Sequence, residues 1–153
     1  MSWRHPFSKS TITSRWGATA NRPTPHRGLD YAPGNKTVIP AVADGEIVFI
    51  GWSDCLGHVV VQKCRASDGK VVFVGYCHLL QKPGSYKVGD VRKAGESIQK
   101  VGNTGSCSRG AHLHLTIGPK ADSVFRGVTV DPEKFIDNQI KRCAECAGCC
   151  KKG

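Results

Sequence analysis

The chain has 153 residues, with 22 Lys+Arg against 12 Asp+Glu for a formal net charge of +10, 39% hydrophobic residues, eight cysteines and six histidines. That is enough for one compact domain with a core, and it excludes a disordered chain. No run approaches the roughly 18 apolar residues of a membrane span, and residues 1–6 lack a signal-peptide core, so neither membrane insertion nor a secretion signal is expected. The charge favours polyanionic surroundings, but the basic residues are scattered, without the aromatic-rich basic strand of single-strand binders, so nucleic acid is not an expected partner.

Residues 1–25 are polar, carry three prolines and read as an N-terminal arm. Residues 38–43, the turn Asp44-Gly45 and residues 46–50 predict a hairpin. The same grammar recurs in residues 58–64, the turn at 67–70 and residues 71–79, both flanks being rich in β-branched residues. Short strand pieces follow at 88–91 and 97–102, then an alternating strand over 111–117 that Gly118-Pro119 ends. A helix starts at Asp131 as N-cap with Pro132 at the first helical position. The expected fold is mainly β, a small antiparallel sheet domain with short loops and little helix. Residues 26–137 form its core, and residues 138–153 a Cys-rich basic C-terminal tail.

Three local patterns carry chemistry. His112-Leu113-His114 puts two imidazoles on one face of a strand, a spacing that suits zinc but also an ordinary solvated face. His26 and Asp30 would be about 13 Å apart in a straight strand, too far to share a metal, so the chain must bend between them. Gly28 offers a bulge or turn for that bend. His78 ends an apolar strand, a place more often filled by a structural histidine.

Together these patterns resemble the M23 family of zinc metallopeptidases, the lysostaphin-type cell-wall endopeptidases, over about residues 7–136. The carriers are His26 and Asp30 in His-x-x-x-Asp, Tyr76-Cys77-His78-Leu79, and His112-Leu113-His114, supported by residues 28–32, 39–45, 88–96, 101–105 and Asp131-Pro132. The resemblance implies His26, Asp30 and His114 as ligands of one zinc per chain and His78 and His112 as catalytic histidines beside its open position. It implies hydrolysis of peptide bonds in bacterial peptidoglycan by a zinc-activated water. Active relatives usually carry a tyrosine upstream of the first motif. Residues 14–21 contain none, leaving Trp16 and Asn21 as hydrogen-bond donors and Arg15 or Arg22 as cations in its place.

The expected setting is a monomeric phage-type endolysin, made in the host cytoplasm and acting at the cell wall, where the charge aids adhesion to anionic wall polymers. The alternative is a zinc-stabilised, non-catalytic wall-binding or virion module on the same fold. Cys143, Cys146, Cys149 and Cys150 have the spacing of a second metal site, with disulfide pairing as the competing reading. Cys55 with Cys64, or Cys77 with Cys107, are candidate disulfides. His58 reads as structural or cleft-lining, His5 as solvent-exposed, and Trp52 and Tyr86 as packing residues or groove lining.

Overall fold

The computed structural model describes residues 2–145. Its strands are β1 (Ile12–Ser14), β2 (Leu29–Tyr31), β3 (Val38–Pro40), β4 (Gly45–Ser53), β5 (Gly57–Arg65), β6 (Val71–Leu79), β7 (Val91–Arg92), β8 (Ser97–Lys100) and β9 (Leu113–Gly118), followed by one helix, α1 (Pro132–Glu145). Seven strands form one sheet in the order β1-β2-β9-β6-β5-β4-β7, and β3 pairs with β8 in a separate ribbon. Every pairing is antiparallel, as the sequence predicts.

Alternation assigns the two faces. Val60 and Cys64 of β5, Val74 and Tyr76 of β6, and Leu113, Leu115 and Ile117 of β9 enter the main core. Val59, Val61 and Cys77 face the other way, into a smaller cluster with Val124. Because Leu113 and Leu115 are fixed in the core, His114 between them must face the opposite side of the sheet. The same logic in β2 buries Leu29 and Tyr31 and turns Asp30 to that side.

The core is tied across its layers by a buried polar chain. The Tyr76 hydroxyl donates to Gln62 Oε1 (2.6 Å) and accepts from the Val42 amide (3.0 Å), while Gln62 Nε2 donates to the Ala43 and Arg92 carbonyls (3.2 Å each). This explains why residues 38–50 do not form the expected hairpin. Ala41, Val42 and Ala43 are buried in the core, so β3 leaves for β8 while β4 pairs with β5. The hairpin of β5 and β6 forms as predicted.

The first 25 residues are more integrated than an arm. Trp3 is buried in the main core, and β1 extends the sheet beside β2. His5 is largely buried, its Nε2 2.7 Å from Asp137 on α1. At the other end, Asp131 Oδ1 accepts from the Glu133 amide (3.0 Å), the expected cap. The helix continues to Glu145, past the expected start of a tail at residue 138, because Ile136 and Gln139 are buried and Gln139 Oε1 accepts from the Ser67 amide. Cys143 lies on α1, while Cys146, Cys149 and Cys150 lie outside the described residues.

The cysteine pairing differs from both sequence candidates. Cys55 is bonded to Cys107, and Cys64 and Cys77 are buried free thiols. Cys64 and Cys77 are held on opposite faces of the sheet by the alternation of β5 and β6, whereas Cys55 and Cys107 sit in adjacent loops with Cα atoms 4.7 Å apart. Tyr86 is a packing residue, its hydroxyl donating to the Ile98 carbonyl. Trp52 stacks edge-on against His58 and is exposed.

Tyr76→Phe leaves a buried amide and a buried amide oxygen each short of a partner. Urea unfolding is expected to show a loss of about 1–3 kcal/mol with an unchanged denaturant slope.

Candidate metal centre

β2 and β9 are paired so that Asp30 stands opposite His114, and β6 continues the row with Cys77 opposite His114. His114 Nδ1 lies 2.9 Å from Asp30 Oδ1. His26, just before β2, brings Nε2 to 3.3 Å from Asp30 Oδ1 and 3.2 Å from His114 Nδ1. Three ligand atoms therefore converge on one point. A tetrahedral zinc with bonds of roughly 2.0–2.1 Å would separate its ligand atoms by roughly 3.3 Å, so the donor set fits that ion in kind and in spacing.

The chain bends at Gly28 between His26 and Asp30, as the sequence predicts, without left-handed strain. Gly28 is absent from the residues with positive φ. It also supplies space, because a Cβ there would stand 2.5 Å from the Leu115 carbonyl oxygen and 2.7 Å from Cε1 of the His114 ring. The missing side chain lets the chain before β2 lie against that imidazole.

Three of the four histidines are oriented from behind. His26 Nδ1 is 3.1 Å from the Arg15 carbonyl, which can only accept, so Nδ1 carries the proton and Nε2 presents its lone pair to the centre. Ser14 Oγ, on the neighbouring strand, also touches Nδ1 (3.1 Å). The same device acts twice more: His78 Nδ1 donates to the Thr104 carbonyl (2.7 Å) and His112 Nδ1 to the Gly110 carbonyl (2.8 Å). Both rings therefore present Nε2. The His78 and His112 rings lie 4.6 Å apart, centroid to centroid, and His112 Nε2 is 3.9 Å from Asp30 Oδ1. All five residues singled out in the sequence thus meet in one place.

His78 occupies this place at a conformational cost. Its φ of +61° lies in the left-handed region that non-glycine residues seldom adopt, a cost on the order of 1–3 kcal/mol. The irregularity lets Leu79 remain in the main core while His78 joins the histidine cluster. The loops beneath it hold it there. The His78 amide donates to the Leu56 carbonyl, and the 54–57 and 104–107 loops are joined by two backbone hydrogen bonds and the Cys55–Cys107 bridge. Gly105, at φ +90°, sits where a Cβ would strike the Cys55 carbonyl and the Gly57 amide. This close approach sets the Thr104 carbonyl against His78.

Burial raises the cost of charging the Asp30 carboxyl, but the His114 and His26 imidazoles beside it outweigh that and hold Asp30 well below the usual carboxylate range. Burial pushes His78 down to about 4, opposed by its bond to Thr104, and burial likewise lowers His114 against the pull of Asp30. His78 is therefore neutral at pH 7.

The centre lies in a cleft of about 1020 Å³ walled by the 20–27, 106–112 and 124–126 segments. Of the residues considered for the missing tyrosine, Trp16 Nε1 is engaged with Thr129 and Arg15 with Glu133, whereas Asn21 and Arg22 line the cleft. His58 is not among the lining residues. Sequence reasoning missed the Arg15, Thr104 and Gly110 carbonyls, since a backbone acceptor has no side-chain signature.

Comparison with known proteins adds an independent line. The model of peptidase family M23 matches residues 24–132. The DD-carboxypeptidase/endopeptidase Mpg of Neisseria meningitidis is 42% identical over 89 residues, covering 58% of this chain and 19% of that protein. The glycyl-glycine endopeptidase ALE-1 of Staphylococcus capitis is 33% identical over 111 residues, covering 72% of this chain and 29% of that one. The chain thus spans less than a third of the length of these relatives. The solved catalytic domain of lysostaphin from Staphylococcus simulans superposes with a TM-score of 0.69 at 28% identity, over 82% of this chain and 91% of that one.

Gly28→Ala is expected to displace the His114 ring and push the chain before β2 away from β9. Zinc titration against a competing chelator should show an affinity lower by about 10–100-fold, the scale of disturbing a ligand's support; unchanged affinity would refute the spacing argument.

Proposed function

The chain belongs to peptidase family M23, and on that footing we propose that it is a zinc-dependent endopeptidase hydrolysing peptide bonds of bacterial peptidoglycan. The observation that carries this reading is the convergence of His26 Nε2, Asp30 Oδ1 and His114 Nδ1 at mutual distances of 2.9–3.3 Å, with two further histidines beside them. The relatives' names support the substrate: Mpg is a carboxypeptidase/endopeptidase and ALE-1 a glycyl-glycine endopeptidase.

His26, Asp30 and His114 would hold the zinc. When bound there, zinc supplies Lewis acidity to the scissile carbonyl and lowers the pKa of water towards ~7. The remaining work falls to the chain. His78 and His112 each keep a proton on Nδ1, locked to a backbone carbonyl, and offer Nε2 as a proton acceptor. A neutral imidazole so placed takes a proton from the attacking water and returns it to the leaving amine, a contribution on the order of 10²–10⁴-fold. The low basicity of His78 keeps its acceptor site open at neutral pH. The other imidazole, once charged, stabilises the developing oxyanion. The formal charge of +10 supports adhesion to an anionic wall.

Incubation with purified peptidoglycan and mass spectrometry of the released fragments tests the reading. Cleavage is expected to stop with a chelator and to return with zinc. His114→Ala should be inactive at equimolar zinc, and His112→Ala slower by about 10²–10⁴-fold; full activity in either variant would overturn the mechanism.

A further inference from the structure

The cleft is unusually one-sided in charge. Four arginines, Arg22, Arg27, Arg109 and Arg126, line it, and Asp30 is the one carboxylate among the lining residues. Asp30 is already committed to His114 and His26. Arg126 is offset by Asp122 at 3.7 Å, and Arg27 spends its guanidinium on the Ser123, Val124 and Gly127 carbonyls, which neutralise nothing. Arg109, in the loop before β9, is exposed.

Arg22 is the best placed of the four. Its Nη2 donates to Ser14 Oγ (3.1 Å), which fixes the head group on the cleft wall, and forms a long ion pair with Asp30 Oδ2 (3.7 Å), a carboxylate it shares with His114 and His26. A guanidinium has five N–H donors in a rigid fork, so most of this one remains unspent beside the metal triad. A cation bound at the triad would draw on the Asp30 charge and leave Arg22 still more in need of an anion.

We propose that Arg22, reinforced by Arg109, forms a subsite for free carboxylates of the substrate, so that the preferred substrate is an acidic peptide with a carboxylate flanking the scissile bond. A neutral oligoglycine, of the kind the name of ALE-1 implies for that relative, offers this subsite nothing. The carboxylate accepts two parallel N–H bonds from the fork, which orients the peptide as well as binding it. This inference rests on the peptidase reading above and sharpens its substrate.

The test uses the zinc-loaded full chain and three synthetic peptides: an acidic stem-type peptide with free side-chain carboxylates, the same peptide with those groups amidated, and pentaglycine. The acidic peptide should be cleaved with kcat/KM at least tenfold above either neutral one, and its KM should rise with ionic strength. Arg22→Gln should bring the ratio of acidic to amidated peptide close to one, chiefly through KM, whereas Arg22→Lys should restore part of it. Equal cleavage of all three peptides, or a ratio unaltered by Arg22→Gln, overturns the subsite and leaves the peptidase reading standing. Cleavage of none of the three, with intact peptidoglycan also untouched, overturns both.

Discussion

The register that sets Asp30 opposite Cα-paired His114 across β2 and β9 is the constraint on which the site depends. Leu29 and Tyr31 on one strand, and Leu113 and Leu115 on the other, are fully buried in the main core. A slip of one residue in either strand would turn that strand's two core side chains outward and send its carboxylate or imidazole into an apolar interior. The hydrophobic core therefore enforces the polar site. Burying a large aliphatic side chain such as Leu29, Leu113 or Leu115 stabilises by about 1.5–3 kcal/mol.

Around that register the molecule invests in orientation. Backbone carbonyls at Arg15, Thr104 and Gly110 each fix one tautomer, so that three imidazoles turn Nε2 inward with no side-chain partner to titrate. The Cys55–Cys107 bridge joins the two loops that bear on His78, one through its amide and one through its ring. Its left-handed backbone is sustained by that packing. Stability elsewhere holds a locally unfavourable residue in a useful place.

Much of this was legible in the sequence because it is written in side chains. The alternation over 111–117 gives β9 and puts His112 and His114 on one face, and the run over 71–79 gives β6. Asp131-Pro132 gives the helix start, but the continuation to Glu145 depends on Gln139 meeting Ser67, a tertiary contact. The misread hairpin at 38–50 has the same origin. Its turn chemistry is sound, yet Tyr76 and Gln62, far along the chain, draw residues 42–45 into the core. Gly28 marks the bend before β2, but its second service, room for the His114 ring, depends on β9 lying against it and has no signature in the local sequence.

The central claim is a zinc held by two imidazole nitrogens and one carboxylate oxygen. X-ray absorption at the zinc edge, on the full chain loaded with one equivalent, addresses that claim without relying on activity. A first shell of nitrogen and oxygen at ~2.0–2.2 Å with no sulfur is expected. A shell dominated by sulfur at ~2.3 Å, the signature of thiolate ligation, would contradict it.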